Sequence, residues 1–71
     1  MNLRHKVGRN LRRLRAIRGW SQEEFADICG LHRTYVSGIE LGKRNVTVDV
    51  IEKVSASLSV PAYELFLEVE A

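Results

Sequence analysis

The sequence is poor in the parts from which catalytic or covalently stapled proteins are built. A single cysteine, Cys29, stands among 71 residues, so no intramolecular disulfide forms and a reducing compartment suits the chain. The two histidines, His5 and His32, are too few and too scattered to complete a zinc site with it. Neither histidine has an acid and a nucleophile arranged around it, and the cysteine has no evident base, which argues against a hydrolase or metalloenzyme. No apolar run approaches the ~20 residues of a membrane span. The N-terminus is charged where a signal peptide would carry its apolar stretch. No strand alternation, repeat or low-complexity segment is evident. The length fits one domain, residues 1–71, with no room for a second carrying a catalytic cleft or an effector pocket. No cofactor is expected. A core this small supplies only about 3–5 kcal/mol, so pairing of two copies would help it stand.

What the sequence has in quantity is charge, unevenly placed. Residues 1–20 hold seven Lys and Arg and no acid, whereas from Val46 onward Lys53 alone stands against five acids. The net charge of +2 conceals that gradient. A polyanion could meet the first half while the acidic second half faces elsewhere; the competing reading is a solvated basic helix face.

The apolar pattern is helical throughout. Leu3, Val7, Leu11 and Leu14 share one stripe, predicting a helix from about residue 3 to 18, with Gly19 as a left-handed stop and Trp20 folding back as an apolar plug. Ser21-Gln22-Glu23-Glu24 has the form of a capping box and opens a short second helix that ends at Gly30. After the connector Gly30-Leu31-His32, residues Tyr35, Val36 and Ile39 define a third helix up to Gly42. Lys43-Arg44-Asn45 reads as an exposed loop. Thr47 is a fair N-cap for a fourth helix with Val50, Ile51, Val54 and Leu58 as its stripe. Pro61 then starts a last short helix, Ala62 to about Leu67. The expectation is an all-α chain of five helices.

Trp20-Ser21-Gln22-Glu23-Glu24-Phe25-Ala26, then Gly30-Leu31, then Arg33-Thr34-Tyr35-Val36-Ser37-Gly38-Ile39-Glu40, then Gly42-Lys43-Arg44-Asn45 together resemble the XRE family, which includes the phage Cro and repressor proteins. The resemblance runs over nearly the whole chain. The run Arg33 to Glu40 with Arg44-Asn45 looks like the small controller proteins of restriction-modification systems. It implies a five-helix, lambda-repressor-like fold with a helix-turn-helix at about 21–41, and a sequence-specific transcriptional regulator working in a bacterial cytoplasm on the nucleoid. Its partner would be double-stranded operator DNA, with the third helix in the major groove, where each base pair shows a distinct pattern of donors and acceptors.

Carried over residue by residue, the resemblance puts base reading on Arg33, Thr34 and Ser37. A guanidinium can pair with guanine O6 and N7, and Ser37 shares the Arg33 face one turn on. Phosphate contacts fall to Gln22 at the start of the second helix, to Lys43, Arg44 and Asn45 in the loop, and to Arg12 and Arg13 among the helix-one bases. Unaligned, each of these is an ordinary solvated polar residue. Tyr35 either donates to a phosphate or packs. Arg15 and Glu40 are implied to form an internal ion pair. Gly38 costs a helix about 1 kcal/mol against alanine, which suggests a close approach there by DNA backbone or a neighbouring helix. Three residues depart from the pattern: His32 where a capping Ser, Asp or Thr is usual, Ser59 where glycine often follows the fourth helix, and Pro61 in place of a capping Ser or Thr. Cys29 reads as a half-buried small apolar residue, and His5 as surface.

Relatives of this size pair through their last two helices, so the resemblance implies a homodimer through residues of about 46–69. Val46, Val48, Ile51, Phe66 and Leu67 are the interface candidates. The rival function is an antitoxin-like or adaptor protein that uses the fold to hold a partner protein; such a protein need not keep Arg33, Thr34 and Ser37 with a basic loop behind them.

Overall fold

A computed structural model of the chain describes residues 2–68. Asn2 caps α1, Leu3–Ile17, accepting the His5 N–H at 3.0 Å. Of the expected stripe, Val7, Leu11 and Leu14 are buried, but Leu3 stands 59% exposed. The capping box before α2, Gln22–Cys29, is closed in both directions: Ser21 Oγ accepts the Glu24 N–H at 3.0 Å, and Glu24 Oε1 accepts the Ser21 N–H at 2.8 Å. Gly30 takes the left-handed conformation at φ 72°, open to glycine without a Cβ penalty. That turn lets the Leu31 N–H reach back to the Ala26 carbonyl at 2.9 Å, and α3, Arg33–Glu40, begins two residues later.

Thr47 caps α4, Val48–Leu58, through the Val50 N–H at 3.1 Å. The residue after it, Ser59, is left-handed at φ 57°, a conformation that costs an L-residue roughly 1–2 kcal/mol. Among the described residues there are four α-helices and no strand, and the fifth expected α-helix is instead a 3-10 helix, Ala62–Phe66. The reason is local. Pro61 pre-sets the entry but no side chain caps it, and so short a segment closes i to i+3 bonds more readily than it nucleates an α-helix; Glu64 N–H donates to the Pro61 carbonyl at 3.0 Å. The last residue of the expected dimerisation region, Val69, lies outside the described residues.

α1 is the spine. It packs on α3 and on the 3-10 helix, while α2 packs on α3 and α4. Leu11, Phe25, Val36, Leu58 and Leu65 meet in the centre with no exposed surface, each burial contributing about 1.5–3 kcal/mol. Trp20 plugs one end, stacked on Phe25 with ring centroids 6.0 Å apart. Two residues that the sequence did not single out set the approach of these elements. A Cβ at Gly8 would collide with the carbonyl oxygen of Ile39 and lie 2.8 Å from that of Glu40, so only glycine lets α1 cross α3 this closely. Asn10, fully buried, donates through Nδ2 to the carbonyls of Leu65 at 3.0 Å and Leu67 at 2.8 Å. It thereby satisfies backbone acceptors that would otherwise be buried unpaired at the end of the 3-10 helix.

Candidate nucleic-acid interface

The helix-turn-helix holds α3 by one face and leaves the other open. Val36 and Ile39 are buried while Arg33 and Thr34, in the first turn, are exposed, with Ser37 half-buried one turn on. These are the three expected base readers, and they line the open side of one helix. His32 stands at the N-cap but its side chain caps nothing.

The elevation of α3 is fixed by charge inside the fold. Arg15 donates from Nε to Glu40 Oε2 at 2.7 Å and from Nη2 to Oε1 at 3.0 Å, and its Nη1 reaches the Trp20 carbonyl at 2.7 Å. The Glu40 side chain is only 3% exposed. Its hydrogen bonds to Arg15 hold that guanidinium's pKa above the ordinary value despite desolvation, as expected for a paired, partly buried cation. Gln22 joins this cluster: its Nε2 donates to Glu40 Oε1 at 3.1 Å. The amide expected at a phosphate thus lies on the carboxylate that ties α1, α2 and α3 together.

Half of the basic residues of α1, namely Lys6, Arg13 and Arg15, are engaged within the molecule. Lys6 pairs with Glu68 at 2.5 Å, Arg13 with Asn10 at 3.1 Å and more distantly with Glu64 at 3.9 Å. Arg18 donates to the carbonyls of Leu14 and Leu58 and lies over the Trp20 ring. Of the acidic residues after Val46, Glu64 and Glu68 lie against α1 and neutralise part of it. Arg12 is exposed.

Beyond α3, Lys43, Arg44 and Asn45 are exposed in the connector to α4. The Arg44 guanidinium lies over the half-buried Tyr35 ring, its carbon 5.5 Å from the ring centroid. Gly38 explains how it gets there: a Cβ at Gly38 would lie 2.7 Å from Arg44 Cγ and 3.1 Å from its Nε. Within the protein, the close approach expected at this glycine is made by an arginine side chain from the following loop and not by a neighbouring helix. At the start of the same loop the His5 ring, on the surface, covers buried Gly42.

A second surface begins at Asn45, where the basic loop ends. Val46, Val48, Ile51 and Phe66 share a groove of about 520 Å³ with Leu3 and Val7. Val48 is 81% exposed, and Phe66 and Leu67 are 37% and 40% exposed; Leu67 is not part of the groove wall. Leu3 belongs to this apolar surface and not to the core, a reassignment its place in the helical stripe hid. Among the described residues no group of His, Cys, Asp and Glu is placed to hold a metal ion, and no helix is long and apolar enough to cross a membrane. Cys29 is buried, more deeply than its sequence position suggested, and burial pushes its thiol pKa up, only partly offset by Ser57 and Lys53.

Residues 11–65 match the family model described as Helix-turn-helix. The chain belongs to the helix-turn-helix family. Within it, the chain is 48% identical over 66 residues to a hypothetical transcription factor of Neisseria meningitidis serogroup B, covering 93% of this chain and 62% of that protein. It is 46% identical over 65 residues to control protein C.BamHI of Bacillus amyloliquefaciens, covering 90% of this chain and 80% of that one. The crystal structure of the restriction-modification controller protein C.AhdI from Aeromonas hydrophila superposes with a TM-score of 0.85 at 44% identity, over 89% of this chain and 96% of that one. These relatives are named as a hypothetical transcription factor, a control protein and a controller protein, and none is named as an enzyme.

Proposed function

We propose that the chain is a sequence-specific transcriptional regulator of the controller type, binding a pseudo-palindromic DNA operator as a homodimer. The observation that carries this reading is the open face of α3, with Arg33, Thr34 and Ser37 outward on a helix whose height is set by the Arg15–Glu40–Gln22 cluster. The major groove admits one helix, and side chains near the helix start read base edges there. Lys43, Arg44 and Asn45 flank that helix and are suited to phosphate oxygens, as is exposed Arg12. Gln22 and Arg13, with partners inside the fold, are weaker candidates for that role. Tyr35 both packs and supports Arg44.

The apolar groove of Leu3, Val46, Val48, Ile51 and Phe66, with Leu67 beside it, supports a symmetric pairing of two copies. A two-fold pair would set its reading helices about 34 Å apart, one turn of B-DNA. Likeness to C.BamHI and C.AhdI supports regulation of a restriction-modification system. No effector pocket is needed: coupled dimerisation and operator occupancy respond to protein concentration alone.

The test is selection of duplexes from a random pool at near-physiological salt, with non-specific competitor present to suppress binding by charge. The expected result is a two-fold-symmetric motif. Folded protein that enriches nothing would overturn the operator reading in favour of an adaptor that holds a partner protein. Sedimentation showing only monomer at high micromolar concentration, with and without operator, would remove the dimer.

A further inference from the structure

We infer that Gly38 is a positioning residue for DNA binding, its missing side chain letting Arg44 fold back across α3 onto Tyr35 and so present its guanidinium to a phosphate beside the reading helix. The inference rests on the operator reading and deepens it. Three observations converge. Gly38 lies inside α3, where alanine would be the better helix former, so helix formation gives no reason for glycine there. The three atoms nearest to a Cβ at this position, at 2.7, 3.1 and 3.5 Å, all belong to the Arg44 side chain. The same side chain then meets the Tyr35 ring at 5.5 Å, a cation–π distance.

The consequence is preorganisation. Arg44 is exposed in a loop, where a long side chain would otherwise sample many rotamers and lose that freedom on binding. Held over the Tyr35 ring, the guanidinium keeps its N–H groups for a phosphate oxygen. A methyl at position 38 does not need to unfold anything, because an exposed arginine can swing outward. It needs only to expel Arg44 from the ring.

The experiment compares Gly38→Ala, Arg44→Ala and the double variant with the wild type by thermal melting, by the ring-current shift of the Arg44 side-chain protons, and by operator affinity across a salt series. Gly38→Ala is expected to melt no lower than the wild type and to lose the ring-current shift. It should bind DNA about tenfold more weakly, for specific and random duplexes alike, as loss of a phosphate contact does. The slope of log affinity against log salt should fall by about 0.9. The double variant should bind as Arg44→Ala does. Wild-type affinity in Gly38→Ala would overturn the inference, and so would a further tenfold loss on adding it to Arg44→Ala, since the methyl would then be meeting the DNA itself. A melting loss that Arg44→Ala does not restore would show that Arg44 is not what the methyl meets, and would overturn it too. Wild-type protein that binds no duplex would overturn the operator reading and this role with it, whereas the other failures leave operator binding by the wild type intact.

Discussion

α1 and the segment from α3 into the following loop are both rich in arginine, yet they use it in opposite ways. In α1 and its C-cap, Arg13, Arg15 and Arg18 each reach an oxygen inside the fold, and Lys6 reaches Glu68. In the second region Arg33 and Lys43 point to solvent, and Arg44 leans only on an aromatic ring. Much of the denser run of charge thus serves the scaffold, Arg12 being an exposed exception, and the sparser run is the candidate interface. A cation already paired within the protein has little to offer a phosphate, because transferring it would leave a carboxylate or carbonyl uncompensated.

This contrast predicts which property each substitution changes. Arg15→Ala should have the largest effect, lowering stability by about 3 kcal/mol as Glu40 is left buried with only Gln22 beside it. Urea denaturation measures this, and an unchanged midpoint with lost DNA binding would move Arg15 to the interface. Arg33→Ala should leave the urea midpoint alone and remove about 1–3 kcal/mol of preference at one base pair, read by competition among single-base operator variants; equal loss on random DNA would make Arg33 a phosphate contact instead. Arg13→Ala should be milder, about 0.5–1 kcal/mol of stability given its exposure, with the salt slope unchanged. A slope reduced by about 0.9 would return Arg13 to the phosphates. Smallest is Glu68→Gln. Lys6 holds the Glu68 carboxyl below its ordinary pKa, first by hydrogen bonding and then by charge. The stabilisation is therefore complete above the unfolded carboxylate pKa and is lost as pH falls through the lowered folded value. The variant should slightly flatten the acid limb of a melting-temperature profile, and the difference should vanish at high salt; a difference that persists there would mean the pair is less exposed than it stands.

How much of this was legible beforehand follows from the range of the interactions. The capping box at Ser21 and Glu24, the left-handed Gly30 and the Thr47 cap are spelled by neighbours within four residues, and each lies where the pattern placed it. The last element was misjudged in kind because its outcome turns on the uncapped start at Pro61 and on the grip of Asn10 from another helix. The roles of Gly8, Asn10 and Leu3 were hidden altogether. Each depends on what a distant segment places against it, and helical periodicity reports a face without naming the neighbour. The candidate site divides the same way. The face bearing Arg33, Thr34 and Ser37 could be counted off along one helix. The diversion of Gln22 to Glu40 and the folding of Arg44 over Gly38 depend on how three helices meet.

The grip of Asn10 on the carbonyls of Leu65 and Leu67 also has a consequence in time. During synthesis the helix-turn-helix is complete in sequence once Glu40 has been added, but the residue that covers the underside of α1 arrives 25 positions later. The two Asn10 contacts join positions 55 and 57 residues apart in the sequence. Closing so long a loop is entropically unfavourable until the contacts at its end exist to offset it. The helix-turn-helix, whose contacts are nearer in sequence, is therefore expected to form before the 3-10 helix locks onto α1.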